Sequence, residues 1–126
     1  MLYAHSCDLA QAVVGPWSVK ALRLAAKKAD GKVIGGLNAD LELGWMKINV
    51  VILDEDARKQ GLGTELLETA ERFAVDAGAR GIWLETFDWQ ALEFYKNRGY
   101  RQFARIENYV SSYGITFLKH DTQRTS

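Results

Sequence analysis

A short run with two glycines and two basic residues has the composition of a phosphate-binding turn. Residues 58–64 read Arg-Lys-Gln-Gly-Leu-Gly-Thr and lie between a predicted strand and a predicted helix. The first turn of a helix leaves backbone N–H groups without partners and carries a partial positive charge, so it attracts phosphate. Gly61 and Gly63 would let phosphate approach the backbone, and Thr64 offers a hydroxyl. Taken alone, the run fits a phosphate-binding loop and an ordinary glycine-rich surface turn equally well.

Two other glycine motifs do not match this run. A Walker loop requires a lysine directly before its final serine or threonine, and here Gly63 precedes Thr64. A dinucleotide-binding fingerprint requires a third glycine three positions after Gly63, where this chain has Leu66. The residues therefore disfavour both a Walker-type nucleotide site and a dinucleotide site.

The elements around this run follow the order of a layered α/β domain. Helical spacing of apolar residues predicts helices at 61–77 and 90–97, and Gly78 is placed to end the first one. The strand predicted at 44–53 is almost continuously apolar, which predicts that both of its faces are covered. Helices between strands can act as crossovers, so the order predicts one mixed α/β domain spanning 1–126. The strands are predicted at 19–29, 32–39, 44–53, 81–86, 100–106 and 113–118.

The composition narrows the classes of function. The 126 residues carry 16 basic and 16 acidic side chains, interspersed along the chain, so no one-signed field is predicted to attract nucleic acid or an anionic membrane. The apolar runs are shorter than the ~20 residues that a membrane span requires, and the N-terminal residues lack a signal-peptide pattern. Cys7 is the only cysteine, so neither an internal disulfide nor a four-ligand zinc site is predicted. We therefore expect a cytoplasmic protein with no metal, no nucleic-acid partner and no membrane contact.

A second segment narrows the interpretation of the glycine run. Residues 91–100 read Ala-Leu-Glu-Phe-Tyr-Lys-Asn-Arg-Gly-Tyr. Together with Arg-x-x-Gly-x-Gly at 58–63, this segment resembles the coenzyme A motifs of the GNAT acetyltransferase superfamily, and the resemblance covers about residues 19–118. Residues 84–91 also resemble a Leu-Asp-Thr-Phe-x-x-Gln-Ala stretch of one bacterial branch. The chain is identified as a member of that superfamily.

The resemblance implies a mixed, mostly antiparallel sheet in which two central parallel strands splay apart and coenzyme A enters the gap. It implies acetyl-coenzyme A as cosubstrate and direct transfer of the acetyl group to a primary amine of a small molecule or peptide. A backbone N–H near Leu53 would then polarise the thioester carbonyl. Many relatives carry asparagine in place of Asp88, which puts a cofactor contact there in doubt. The residues matched to cofactor binding are Val51, Ile52, Leu53, Arg58, Lys59, Gln60, Gly61, Leu62, Gly63, Thr64, Asp88 and Tyr95.

The resemblance implies a general acid but leaves the base open. Tyr95 matches the acid that protonates the leaving thiolate, and the alternative role for its side chain is packing beside Phe94. Glu85 is the first candidate for the base, with Asp40 and Glu42 behind it, and an ordinary surface carboxylate is the alternative for each. If Leu53 faces the cleft, a strand period of two would place four residues beside it, none of them a carboxylate: Val51, Asn49, Lys47 and Trp45.

The sequence says less about the site that would bind the acetyl acceptor. The 18 residues before Val19 are fewer than the strand and two helices usual in the family, so we expect an N-terminally shortened domain, completed by a homodimer or left open. A non-catalytic acyl-coenzyme A sensor and an acetyltransferase acting on protein or aminoacyl-transfer RNA are the alternative functions. Aromatic residues that would either line an acceptor site or pack in the core are Trp17, Trp45, Trp83, Trp89 and Tyr113.

Overall fold

The computed structural model describes residues 18–55 and 61–122. All the predicted elements are present, and the largest differences are at strand ends, where the last two strands continue to Val110 and Asp121. The elements are β1 (Val19–Lys27), β2 (Val33–Glu42), β3 (Trp45–Leu53), α1 (Leu62–Asp76), β4 (Gly81–Phe87), α2 (Leu92–Asn97), β5 (Arg101–Val110) and β6 (Tyr113–Asp121).

The strands form one six-stranded sheet in the order β1-β2-β3-β4-β6-β5. Neighbouring strands are antiparallel except for β3 and β4, which are parallel and form the centre of the sheet. The parallel ladder is short, running from the pair Trp45 and Gly81 to the pair Lys47 and Trp83. Beyond it, no ladder pairs join the described residues of β3 and β4, although the strands continue to Leu53 and Phe87. The predicted mixed sheet with splayed central strands is confirmed.

Helix α1 covers one face of this sheet. Its buried side turns toward the sheet at helical spacing and contains Leu66, Leu67, Ala70 and Ala74. The helix ends as predicted at Gly78, whose φ of 76° suits glycine. The Gly78 N–H donates to the Val75 carbonyl at 3.0 Å and the Ala79 N–H to the Ala74 carbonyl at 2.9 Å. The sheet and α2 residues of this core include Leu37, Ala39, Met46, Ile48, Ile82, Leu84, Leu118, Leu92, Phe94 and Tyr95.

A bulge in β3 changes which residues face the helix. Asn38 pairs with Val50 and Ala39 with Ile48, so Asn49 is the extra residue in β3. Before the bulge the even-numbered Ile48 is buried against the core, whereas after it the odd-numbered positions pack there. The expectation that Leu53 shares a face with Lys47 and Trp45 is therefore wrong, because an inserted residue reverses the alternation.

The same strand corrects a second expectation. Val50 is 39% exposed and Ile52 is 62% exposed, while Met46 is fully buried. The alternation shows that β3 is covered on the α1 face and open on the other side, which we call the open face. The prediction that both faces of β3 are covered is wrong, because apolar residues such as Val50 and Ile52 extend onto the open face.

Candidate functional site

The start of α1 presents backbone N–H groups in its first turn. Gly61 precedes the helix in the left-handed conformation, with φ 73° and ψ 14°, and no side chain of the described residues caps the helix. The first helical hydrogen bond runs from the Glu65 N–H to the Gly61 carbonyl at 3.1 Å. The N–H groups of the preceding first turn, which includes Leu62 and Thr64, therefore lie ahead of the helical ladder. The predicted phosphate contacts Arg58, Lys59 and Gln60 lie outside the described residues.

The two glycines of this turn serve different purposes. A Cβ at Gly61 would meet nothing within 4 Å, so glycine is required there by its positive φ. Gly63 is buried, and a Cβ at that position would lie 3.0 Å from Leu53 Cδ1 and 3.7 Å from Phe94 Cζ. Gly63 therefore lets β3, α1 and α2 approach each other, a packing role that sequence reasoning did not assign.

Leu53 lies at the point where these elements meet. A Cβ at Gly35 would come within 2.8 Å of Leu53 Cδ2, so glycines of β2 and α1 flank this side chain. Val51 and Leu53 pack toward the core, and Ile52 points to the open face. The backbone edge of β3 that faces β4 has no ladder partner in β4 after Lys47, which leaves main-chain donors and acceptors along the gap.

Tyr95 of α2 is half-buried. Its ring lies 5.3 Å from Phe94 and 5.8 Å from Tyr100, centroid to centroid, so it packs against the core. Burial raises the pKa of the Tyr95 phenol above its usual value near 10, which keeps the hydroxyl protonated at neutral pH. The packing role and the acid role proposed for Tyr95 are therefore compatible in one side chain.

Tyr100 fixes the position of α2. The residue is only 2% exposed, and its hydroxyl donates a hydrogen bond to Glu71 Oε2 at 2.9 Å. Arg98 completes the link to α1 through Glu68 at 3.5 Å and Glu71 at 3.6 Å. The chain after α2 is thus tied to Glu68 and Glu71, in the middle of α1.

The candidate bases lie on the open face. Glu85 pairs with Lys47 at 3.3 Å, and both side chains are about one-third exposed, at 37% and 33%. Asp40 pairs with Arg23 at 3.3 Å and accepts a hydrogen bond from Asn49 Nδ2 at 2.9 Å. Each of these carboxylates therefore already has a partner.

Glu42 lies at the end of β2, beside the turn to β3, and is exposed. The parallel ladder that ends at Lys47 begins next to that turn, so Glu42 lies at the closed end of the gap. Glu85 lies two positions beyond Trp83, where the ladder ends and the strands have begun to separate. Glu85 is therefore the better placed of the two for chemistry in the gap.

Asp88 has protein partners for both carboxylate oxygens. Arg105 donates to Oδ1 at 2.8 Å and to Oδ2 at 3.1 Å, and the Gly114 N–H donates to Oδ2 at 2.7 Å. The hydrogen bonds from Arg105, followed by the one from Gly114, lower the pKa of Asp88 to about 2. Asp88 therefore joins the end of β4 to β5 and β6, a structural role that accounts for it without a cofactor contact.

The turn after β4 is held by a second side chain. Gln90 Oε1 accepts hydrogen bonds from the Phe87 N–H at 2.9 Å and from the Thr86 hydroxyl at 3.3 Å. The Gln90 N–H donates in return to the Phe87 carbonyl at 2.9 Å. This reciprocal pair sets the direction in which the chain leaves the sheet for α2 and Tyr95.

The sequence model of the acetyltransferase (GNAT) family matches residues 8–100 of the chain. The protein belongs to the GNAT acetyltransferase family. A solved acetyltransferase structure from Bacillus cereus is similar to this GNAT chain with a TM-score of 0.82 and 26% sequence identity, covering 94% of this chain and 89% of the other.

Two other relatives extend the comparison. The chain is 38% identical over 87 residues to a blasticidin-S acetyltransferase from Streptomyces morookaense, covering 68% of this chain and 62% of that protein. An aminoglycoside 6'-N-acetyltransferase solved with coenzyme A has a TM-score of 0.74 at 16% identity, covering 84% of this chain and 75% of the other, and shares the fold. The GNAT chain thus spans less than two thirds of the length of the blasticidin-S relative.

The aromatic residues of the GNAT chain lie mainly outside the core. Trp45 and Trp83 are half-buried on the open face and, with Phe103, Ala104, Phe117 and Lys119, line a groove of about 530 Å³. Trp89 is 56% exposed and Tyr113 is 47% exposed. Core packing is therefore the wrong interpretation for the described tryptophans, and Trp17 lies outside the described residues.

Neither a metal site nor a membrane-spanning helix is found among the described residues. Within 18–55 and 61–122, no group of three or more His, Cys, Asp or Glu side chains is arranged to hold a metal ion. Neither helix in these ranges has both the length and the apolar character needed to cross a bilayer.

Proposed function

We propose that this GNAT protein transfers an acetyl group from acetyl-coenzyme A directly to a primary amine of a small molecule or peptide. The observation that carries the proposal is the opening between β3 and β4, beside which Gly63 at the start of α1 packs against Leu53 and against Phe94, the neighbour of Tyr95. The coenzyme A complex of the aminoglycoside relative, which has the same fold, supports acetyl-coenzyme A as the cosubstrate.

The cofactor would be held chiefly by backbone groups. The pyrophosphate would contact residues 58–64, where the first turn of α1 provides N–H donors and the positive end of the helix dipole. The pantetheine arm would pair with the free edge of β3 along residues 51–53, like an added strand. Because the side chains of Val51 and Leu53 point away into the core, the recognition at this edge falls to main-chain atoms.

The transfer step needs an acid for the leaving thiolate. A neutral amine attacks the thioester carbon, a C–N bond forms, and a main-chain N–H near Leu53 stabilises the oxyanion. The C–S bond then breaks while the nitrogen loses its extra proton, and that proton neutralises the thiolate, to which the Tyr95 hydroxyl donates a hydrogen bond. Because a phenol has a pKa of about 10 and a thiol about 8.5, full proton transfer is uphill, and stabilisation of the developing thiolate is the main contribution of Tyr95.

The attacking amine must first lose a proton. An alkylammonium group with a pKa of about 10 is almost fully protonated at neutral pH, so a carboxylate that accepts the proton, directly or through water, increases the reactive fraction. We assign this role to Glu85, which lies on the open face where β3 and β4 begin to separate. Asp40, paired with Arg23, is the second candidate.

A non-catalytic acyl-coenzyme A binding module is the competing function. It is favoured by the finding that Glu85 and Asp40 are both occupied by cations, Lys47 and Arg23. The test is thiol release from acetyl-coenzyme A with a panel of amines, alongside calorimetric measurement of cofactor binding. Amine-dependent thiol release is the expected result, whereas tight cofactor binding with no release for any amine would establish the binding module instead.

A homodimer is part of the same proposal. Strand β5 is an edge of the sheet and exposes Phe103, Ile106 and Val110 at 52%, 46% and 46%. An exposed apolar edge strand is a surface that proteins usually cover or pair. Light scattering on the purified protein should give twice the mass of 14.2 kDa, and a mass equal to one chain would remove the dimer from the proposal.

A further inference from the structure

Four aromatic rings form an exposed cluster at the end of the sheet. Phe87 and Trp89 stack in parallel with their ring centroids 4.6 Å apart and an interplanar angle of 1°. Tyr113 meets Trp89 edge-on at 5.2 Å, and Tyr109 lies 6.0 Å from Phe87. Trp89, Tyr109 and Tyr113 are 56%, 54% and 47% exposed. We call Phe87, Trp89, Tyr109 and Tyr113 the aromatic cluster.

The aromatic cluster is held in place by polar contacts beneath it. Asp88, between the two stacked rings in sequence, binds Arg105 of β5 and the Gly114 N–H of β6. Arg105 also donates to Glu107 Oε1 at 2.6 Å and to the Thr116 hydroxyl at 2.8 Å. The turn after β4 and the β5–β6 hairpin are thus joined, so the rings form a preorganised surface that loses little conformational entropy on binding.

The location of the aromatic cluster connects it to the proposed chemistry. Phe87 follows Glu85 by two positions in β4, and alternate residues of a strand point to the same face, so both lie on the open face. The aromatic cluster also lies at the end of β4 that has separated from β3, where the thioester would be placed. An acceptor bound there would have its amine next to Glu85.

We propose that the aromatic cluster is the acceptor subsite and selects primary amines that carry a planar aromatic or heteroaromatic ring. The inference rests on the proposed acetyltransferase function and names its substrate class. The exposed ring faces suit stacking on a planar ring and can also hold an ammonium group face-on, and the Glu85 carboxylate lies two positions from Phe87 on the same face.

The test compares two amines of the same length that differ in ring planarity, 2-phenylethylamine and 2-cyclohexylethylamine. Amine-dependent thiol release would give kcat/KM for each amine with the parent protein, Trp89→Leu and the control Phe73→Leu. Phe73 is a half-buried aromatic residue of α1 outside the aromatic cluster, and its ring centroid lies 5.3 Å from Lys20 Nζ. One aromatic contact changes affinity by roughly two- to tenfold. We therefore expect kcat/KM of the parent to be at least about twofold higher for the planar amine than for the saturated amine.

Each result has a defined meaning. The preference should fall toward one in Trp89→Leu through a higher KM for the planar amine, with KM for acetyl-coenzyme A unchanged, and should persist in Phe73→Leu. Equal kcat/KM for the two amines in the parent, or an unchanged preference in Trp89→Leu, overturns the inference while leaving the acetyltransferase function intact. If Trp89→Leu binds both amines more weakly and changes from dimer to monomer, the aromatic cluster is a subunit contact. That result also overturns the inference.

A second measurement separates the inference from the function on which it rests. If neither amine supports thiol release, the amine panel decides whether the proposed function stands, and binding of the two amines is followed separately by NMR titration of the tryptophan indole signals. A planar amine that binds the parent at least twofold more tightly than the saturated amine, but not Trp89→Leu, supports the subsite. Equal binding of both amines rejects it.

Discussion

The two sides of the gap between β3 and β4 use different chemistry. On the α1 side, glycines and core residues bring three elements together around Leu53, and the exposed recognition groups are main-chain atoms. On the open face, charged pairs such as Glu85 with Lys47 stand beside aromatic rings that are half exposed. The first side suits a cofactor of fixed structure, whereas the second side can change its ligand by changing a few side chains.

Among the variants that test this comparison, Tyr95→Phe should have the largest effect, which is on kcat. Removing the hydroxyl should lower kcat by roughly 100-fold, the lower end for a general acid, while cofactor affinity stays unchanged because the ring still packs against Phe94 and Tyr100. Steady-state kinetics and calorimetry measure the two quantities. Tyr100→Phe is the matched control: it removes the hydrogen bond to Glu71 and should lower stability but spare kcat. A Tyr95→Phe enzyme as fast as the parent contradicts the acid role.

The packing of the α1 side is tested by Gly63→Val. Side-chain atoms at this position would overlap Leu53 Cδ1, which is already 3.0 Å from a Cβ, so the free energy of unfolding should fall by about 2 kcal/mol. Leu53→Ala in the same chain should recover part of this loss, as measured by urea denaturation in a double-mutant cycle. Gly61→Ala is destabilised through its backbone conformation and should show no coupling to Leu53→Ala. Coupling at Gly61, or none at Gly63, would reverse the roles assigned to the two glycines.

On the open face, Glu85→Gln should have a smaller and pH-dependent effect. We expect kcat/KM for the amine to fall roughly tenfold at pH 7, with the deficit shrinking toward pH 10, where the amine is increasingly neutral without a base. The pH profile of kcat/KM provides the measurement. Asp40→Asn, at the alternative carboxylate, is the matched control and should leave the profile unchanged. A deficit independent of pH would indicate that Glu85 supports structure through Lys47 rather than accepting a proton.

The smallest effect is expected from Asp88→Asn, and it should depend on acidity. The pKa of Asp88 is lowered in the folded protein to about 2 from 3.8, so its ionised form stabilises the fold above the unfolded value. The stabilisation should disappear as pH falls from about 4 toward 2. The Tm of the parent should therefore exceed that of Asp88→Asn at pH 6 and converge with it near pH 2. A constant difference in Tm would mean that the charge is not responsible.

The sequence was most informative where backbone geometry determines the structure. Gly78 was placed correctly at the end of α1, because glycine adopts a positive φ without steric cost, and the helices and strands followed the spacing of apolar residues. The register of β3 was missed, because a bulge at Asn49 leaves no mark in the pattern of residue types. The partners of Asp88 were also missed, since Arg105 and Gly114 come from strands whose pairing is set by long-range contacts.

The exposed aromatic residues show the same limitation. Tryptophan is more often buried than exposed, so composition favoured core packing for Trp89, and only the three-dimensional position shows it at the surface beside Phe87. The family resemblance predicted which motifs would bind the shared cofactor. It carried no information about the acceptor, because the two motifs that define the resemblance are the cofactor motifs.

The extra residue at Asn49 has a consequence for how this protein can diversify. The bulge divides β3 into two stretches, so that Trp45 and Lys47 point to the open face while Val51 and Leu53 point to the core beside α1. Substitutions at Trp45 or Lys47 can therefore change the open face without disturbing the packing around Leu53. Variants at these two positions should fold with the surroundings of Leu53 intact, whereas deletion of Asn49 would turn one of the two stretches over and expose core residues.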